Sequence, residues 1–192
     1  MAGIILAGGA SRRFGTDKAA ALLDGRPLIA HVATRLAPQV TAVAIVGARQ
    51  TYGLPYPLID DDQHEGKGPL AGIAAGLAWA RTLNAHWLLT APCDVPHLPH
   101  NLLSLLLDSA ADGPSMPAMP VTIETPRGIE AACSLWPVSM RDSLDERLAG
   151  NGSFALVAAL EAHHARYVRV TDADIDGSFA NINTRDDLAG LS

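Results

Sequence analysis

Apolar residues fall together without alternation at Ile4, Ile5, Leu6 and Ala7, at residues 40–46 and at residues 87–91. Continuous short runs of this kind predict strands buried on both faces, as in a parallel sheet. Between the first two, Leu28, Ile29, Val32 and Leu36 recur at helical spacing, with Pro27 ahead as a first helical residue and Pro38 behind as a stop. Strand, helix, strand with no hairpin signal implies a right-handed parallel crossover.

The pattern continues. A two-residue strand is expected at Leu58-Ile59, after a polar, turn-rich stretch over 47–57. Residues 68–80 carry little charge and place Gly68, Gly72 and Gly76 four apart, which predicts a helix whose small face lies close against the sheet. This run is too short to span a bilayer. Pro99 opens a further helix over 101–110. The β-like stretches 118–124 and 129–135 flank Thr125-Pro126-Arg127-Gly128 and read as a hairpin inserted into the alternation. Helices are expected at 137–148 and 154–160, the second capped by Ser153, and a late strand at 167–170. The whole is an α/β fold, Rossmann-like, three-layered and doubly wound, with a mostly parallel sheet and a β-hairpin insertion.

With 192 residues, 48% of them hydrophobic, one sizeable core and a single domain over 1–192 are expected. A formal net charge of −6 argues against nucleic acid as a partner, which would need a basic face. Two cysteines, Cys93 and Cys133, show no metal spacing, and the chain opens on strand-like sequence with no signal peptide. A cytoplasmic location with no membrane partner is the expectation.

Chemistry concentrates where the predicted strands end. The first empties into a loop with Gly8, Gly9 and Gly15, whose backbone N–H groups can turn towards one anion, and with Arg12, Arg13 and Lys18, which supply charge. A nucleoside triphosphate is the natural guest. The spacing fits neither Walker A nor the Rossmann G-x-G-x-x-G fingerprint. Asp60, Asp61 and Asp62 follow the short strand, at the end where ligands bind in open α/β sheets, and Asp62 reads as a solvated loop residue. Asp94 lies between Pro92 and Pro96 just past the third buried strand, rigidly placed to hold Mg²⁺ together with substrate phosphates. Cys93 beside it reads as a small packed residue and not a nucleophile. His97 and His100 read as surface residues. Near the end, Asn181 and Asn183 alternate and so share one face, while Thr184 caps a last helix with Asp187 in a capping-box position.

The first loop resembles the L-x-G-G-x-S-x-R-x-G-x-D-K signature of nucleotidyltransferases that activate a phosphorylated substrate with an NTP. In particular it is similar to the molybdenum cofactor guanylyltransferase (MobA) family. Gly68-Pro69-Leu70-Ala71-Gly72, Pro92-Cys93-Asp94-Val95-Pro96 and the F-x-N-x-N-T-x-x-D-L close from Phe179 to Leu188 extend the resemblance over nearly the whole chain. It implies transfer of GMP from GTP to the phosphate of molybdopterin or Mo-molybdopterin, with Mg²⁺ and with delivery proteins for the finished cofactor as partners. It further implies that Leu6, Ala7, Gly8, Gly9 and Lys18 bind GTP, that Asp61 faces guanine and Asp94 the magnesium, and that Asn181 and Asn183 face the molybdopterin. Lys18, Asp94, Arg12 and Arg13 are the expected catalytic set. Two positions depart from the family. Val46-Gly47-Ala48-Arg49 lacks an asparagine that many relatives place against the nucleotide, and Gly128-Ile129-Glu130-Ala131 stands where many have His-Pro. Another acceptor or base, as in molybdopterin cytidylyltransferase or a sugar-phosphate nucleotidyltransferase, and a non-catalytic GTP or cofactor delivery module are the alternatives.

Overall fold

The computed structural model describes residues 1–8, 17–61, 66–108, 118–150, 152–184 and 187–188. Strand β1 (Ala2–Leu6) is followed by a small hairpin, β2 (Leu22–Leu23) and β3 (Arg26–Pro27), and by helix α1 (Leu28–Leu36). Then come β4 (Ala42–Val46), β5 (Leu58–Ile59), α2 (Pro69–Thr82), β6 (Trp87–Pro92), α3 (Leu102–Asp108), β7 (Val121–Thr125) and β8 (Gly128–Pro137). Helices α4 (Arg141–Ala149) and α5 (Leu156–Ala162), strand β9 (Arg166–Arg169) and helix α6 (Ala173–Ser178) complete the described elements.

Among the described residues the main sheet has seven strands in the order β5-β4-β1-β6-β8-β7-β9. Strands β5, β4, β1 and β6 are parallel, β8 is antiparallel to both β6 and β7, and β9 runs parallel to β7. The hairpin expected as an insertion therefore joins the main sheet, and β8 lies directly beside the central strand β6.

Alternation sorts the side chains of the buried strands into two layers. Ile5, Val43, Ile45 and Leu89 meet Ile29, Val32 and Leu36 of α1 and Leu102 and Leu106 of α3. On the opposite face Ile4, Leu6, Ala44, Val46 and Leu88 meet Leu70, Ile73 and Leu77 of α2, with Leu144, Leu148 and Leu160 from α4 and α5. Gly72 and Gly76 of α2 lie against the sheet as their spacing predicts, whereas Gly68 precedes the helix as its N-cap and faces open space. A Cβ on Gly76 would lie 2.6 Å from Ile4 Cδ1, and one on Gly72 would lie 2.9 Å from Leu6 Cδ2, so the helix sits closer to β1 than any side chain would allow.

Local details differ from the sequence-based expectations. Pro27 is the N-cap of α1 in extended conformation and not its first helical residue, because it still pairs with Leu22 across the small hairpin. Ala155, not Ser153, is the N-cap of α5, and the Ser153 hydroxyl accepts from the Ala155 N–H instead. Residues 179–183 run without regular strand pairing, and α6 just before them had no periodic signal to announce it.

Candidate active site

The parallel sheet reverses its winding between β1 and β6. From β1 the chain moves outward through β4 to β5, and α2 then carries it back to β6 on the other side of β1. A crevice opens at such a switch point, outside the C-terminal ends of the two strands. Here those ends are Leu6-Ala7-Gly8 and Pro92-Cys93-Asp94, laced together by Cys93 N–H donating to Leu6 O at 3.0 Å. A cleft of about 540 Å³ lies over them, and its lining includes Leu6, Ala7, Gly8, Lys18, Asp94 and Glu130 as well as Asn181 and Asn183.

At its centre Lys18 Nζ donates to Asp94 Oδ2 at 2.5 Å and to Asn183 Oδ1 at 3.0 Å. The two charged side chains are only 14% and 19% exposed, so the pair is shielded from bulk water while one side stays open to the cleft. Each partner is held from behind. Asp17 caps the short 3₁₀ turn that begins at Lys18, its Oδ1 accepting from Ala19 N at 3.1 Å, while its Oδ2 accepts from Tyr52 OH at 2.9 Å. Burial and the Asp17 carboxylate both raise the Tyr52 phenol, which keeps it a donor. Ile182 N–H donates to Asp94 O at 2.9 Å, and Ile182 is buried with Leu23 and Leu28. Asp187 Oδ2 accepts from the N–H groups of Asn183 and Thr184 at 2.7 and 2.8 Å, and Thr184 Oγ1 accepts from Asp187 N at 3.1 Å. This is the reciprocal capping box that the sequence predicts, and its two backbone donors hold the Asp187 carboxyl below the usual range.

The second wall comes from β8. Opposite β7, Thr122 pairs with Ser134 and Ile123 with Glu130, so Ala131, Ala132 and Cys133 have no register partners on β7 and form a bulge whose residues line the cleft. A bulge leaves ladder carbonyls without their usual donors. Buried hydroxyls replace them. Thr90 Oγ1 donates to Ala132 O at 2.7 Å, Ser134 Oγ to Ala131 O at 2.6 Å and Thr122 Oγ1 to Glu130 O at 3.2 Å. Thr90 Oγ1 in turn accepts from Ser134 N at 3.2 Å, and Trp136 Nε1 donates to Ser134 Oγ at 3.1 Å.

Of the residues expected at the site, Leu6, Ala7, Gly8, Lys18, Asp94, Asn181 and Asn183 line this one cleft. Asp61 does not. Its carboxylate lies beside Gly47, where an added Cβ would come 3.3 Å from Asp61 Oδ2 and 2.8 Å from Gly8 Cα. Gly47 has φ +74°, and the contact with Gly8 explains why a side chain is absent at this position. Gly9, Arg12, Arg13, Gly15 and Asp62 lie outside the described residues. Cys93 is buried, and its thiol is pushed up to about 12, chiefly by burial and then by the Asp94 charge, which suits packing and not attack. His97 and His100 are exposed. Among the described residues no group of three or more His, Cys, Asp or Glu side chains could hold a metal ion. Sequence reasoning missed Glu130 and the hydroxyl network. A lone glutamate inside the apolar run 129–135 was the available signal.

Residues 3–174 match the model of the MobA-like NTP transferase domain. The chain belongs to the MobA-like NTP transferase family. Membership makes it a nucleotidyltransferase. The molybdenum cofactor guanylyltransferase of Cupriavidus pinatubonensis (strain JMP 134 / LMG 1197) is 40% identical over 195 residues, spanning 97% of this chain and 93% of the relative. The protein of the same name from Cereibacter sphaeroides is 38% identical over 191 residues, with 97% and 93% coverage. Among solved structures, a putative protein from Aquifex aeolicus superposes with a TM-score of 0.76 at 20% identity, covering 95% of this chain and 93% of that one. Molybdopterin-guanine dinucleotide biosynthesis protein A from Archaeoglobus fulgidus gives 0.73 at 24% identity, covering 100% and 96%. These two structures share the fold of this chain. No helix among the described residues is long and apolar enough to cross a membrane.

Proposed function

We propose that this chain transfers GMP from GTP to the terminal phosphate of molybdopterin or Mo-molybdopterin, within one nucleotidyltransferase domain over 1–192 and in a cytoplasmic setting. The observation that carries the reading is the shielded Lys18–Asp94 pair at the switch point, joined by Asn183 from the far end of the chain. The names of the two curated relatives supply the substrates.

In this reading the triphosphate lies along Gly8 and Gly9, with Arg12 and Arg13 drawing in its phosphates. Lys18 exchanges Asp94 for phosphate oxygens and stays within the cleft, since Asp17 fixes the turn that carries it. The acceptor phosphate attacks the α-phosphorus in line. A new P–O bond forms, the bond from the α-phosphorus to the bridging oxygen breaks, and pyrophosphate leaves with that electron pair. No general base is needed, because a phosphate monoester with a second pKa of about 6 is already ionised at neutral pH. Catalysis is then alignment and charge neutralisation.

Nucleotidyl transfer in this family generally uses a divalent metal, and the residues fit one. Asp94 is a partly exposed carboxylate facing the cleft, and Mg²⁺ binds through one or two carboxylates with substrate phosphates and waters completing its shell. Asp94 would hold the ion, which would neutralise charge on the phosphates. Asp61, beyond Gly8 and Gly47, faces the guanine, Asn181 and Asn183 face the molybdopterin, and the product passes to delivery proteins.

The test is pyrophosphate release with each of the four NTPs, Mg²⁺ and molybdopterin. Release with GTP alone is expected. Release with CTP instead would make the chain a cytidylyltransferase, and tight GTP binding without release would make it a delivery module.

A further inference from the structure

Resting on that reading, we propose that Glu130 selects the acceptor, its carboxylate receiving two adjacent N–H groups from the 2-amino-4-oxopyrimidine edge of the acceptor's pterin. Strand order sets the side of the cleft. Gly8, Gly47 and Asp61 follow β1, β4 and β5, on one side of Asp94, whereas Glu130 belongs to β8 on the other. With neighbouring strands about 4.8 Å apart, β5 and β8 are separated by roughly 19 Å, enough to keep the two ends of a dinucleotide on different residues.

The surroundings of Glu130 fit a flat heterocycle. Ile129, Ala131, Ala132, Ala155, Leu156 and Val157 line the cleft with it, an aliphatic wall for ring faces that includes one acidic residue. Such a pocket takes its orientation from a few placed polar groups. A carboxylate has two oxygens at the spacing of two neighbouring N–H donors, and charge-assisted paired bonds of this kind are strong and directional. Phosphate would be repelled here. Burial raises the Glu130 carboxyl, and the nearby Asp176 and Asp94 carboxylates act the same way against the opposing Arg127 and a Thr125 hydrogen bond. The β8 bulge fixes the presentation, since the Glu130 carbonyl is bonded to the buried Thr122 hydroxyl and the next two carbonyls to Ser134 and Thr90.

Guanine offers the same edge, so the experiment separates the two rings. Steady-state kinetics of Glu130→Gln and Glu130→Ala would vary molybdopterin at saturating GTP, then GTP at saturating molybdopterin. Removing bonds to a charged group should raise KM for molybdopterin about tenfold or more and leave KM for GTP within about twofold. Fluorescence titration without GTP would compare 6-hydroxymethylpterin phosphate with the lumazine analogue, which has oxygen in place of the 2-amino group. The unaltered protein should prefer the pterin, and both variants should lose that preference, which a merely structural residue would not control. A raised KM for GTP with an unchanged one for molybdopterin, or a preference for pterin surviving in the variants, would overturn the assignment. Absence of pyrophosphate release by the unaltered protein would instead count against the guanylyl transfer reading, and the pterin preference would still decide the role of Glu130.

Discussion

Replacing Thr90 by valine keeps the shape of the side chain and removes one hydroxyl from the wall of the cleft. Thr90 is 0% exposed, so water cannot take the place of the lost group. The hydroxyl has one proton, which goes to Ala132 O at 2.7 Å in preference to Ser134 O at 3.2 Å, and its oxygen accepts from Ser134 N–H at 3.2 Å, so two backbone groups lose a partner. A buried group left unsatisfied costs about 1–3 kcal/mol, so the pair should cost about 3 kcal/mol. That is a large share of a typical folding free energy of about 5–15 kcal/mol. Thr90→Ser keeps the hydroxyl and loses one buried methyl, worth about 1 kcal/mol. Urea unfolding followed by tryptophan fluorescence is the assay, and Trp136 is a native reporter because its indole N–H is bonded to Ser134 within the same network. At an m-value of about 3 kcal/mol/M the midpoint should fall by about 1 M for valine and by about a third of that for serine. The valine variant should also bind the acceptor more weakly, as the bulge that lines the cleft loosens. A valine variant as stable as the unaltered protein, or more stable than the serine variant, would refute the reasoning.

Gly76→Ala gains about 1 kcal/mol of helix propensity but forces a methyl to 2.6 Å from Ile4 Cδ1 and 3.1 Å from its branched Cγ2. Overpacking of about 2 kcal/mol should win, and thermal unfolding should show a lower Tm, whereas Gly177→Ala in α6, with no atom within 4 Å, should show none of this loss. The two free cysteines are buried, so Ellman's reagent at pH 8 should find no reactive thiol in the folded protein and both after unfolding. Folded Cys93 keeps its proton up to about pH 12 while the unfolded thiol releases it near 9.0, so its contribution to stability is complete below pH 9 and lost between these values. Denaturation midpoints across that window should decline, and the decline should be shallower in Cys93→Ala.

The central part of the fold was legible because its signals are local. Unalternating runs such as Ile4-Ile5-Leu6, short and bounded by glycine, read as strands covered on both faces, and Gly72 and Gly76 announced a helix lying against them. Gly8, Lys18 and Asp94 could be picked out as neighbours because they follow buried strands or the turn after them, and chemistry at strand ends needs few residue types. The join between Lys18 and Asn183 was not, since it spans 165 positions and rests on tertiary placement. Nor was the β8 bulge: register against β7 is a non-local choice, and Thr90, Thr122 and Ser134 look in sequence like ordinary polar strand positions. Glu130 was passed over for a related reason, since its place in the lining of the cleft depends on how β8 is seated beside β6 and β7, which no local pattern shows.

The most direct test of the site is pyrophosphate release from GTP, Mg²⁺ and molybdopterin by the unaltered protein beside Asp94→Ala, with GTP binding measured on both. The Lys18–Asp94 site predicts release by the unaltered protein and a fall of at least about a hundredfold in the variant, which should still bind GTP. Release by Asp94→Ala at a rate close to that of the unaltered protein would contradict it.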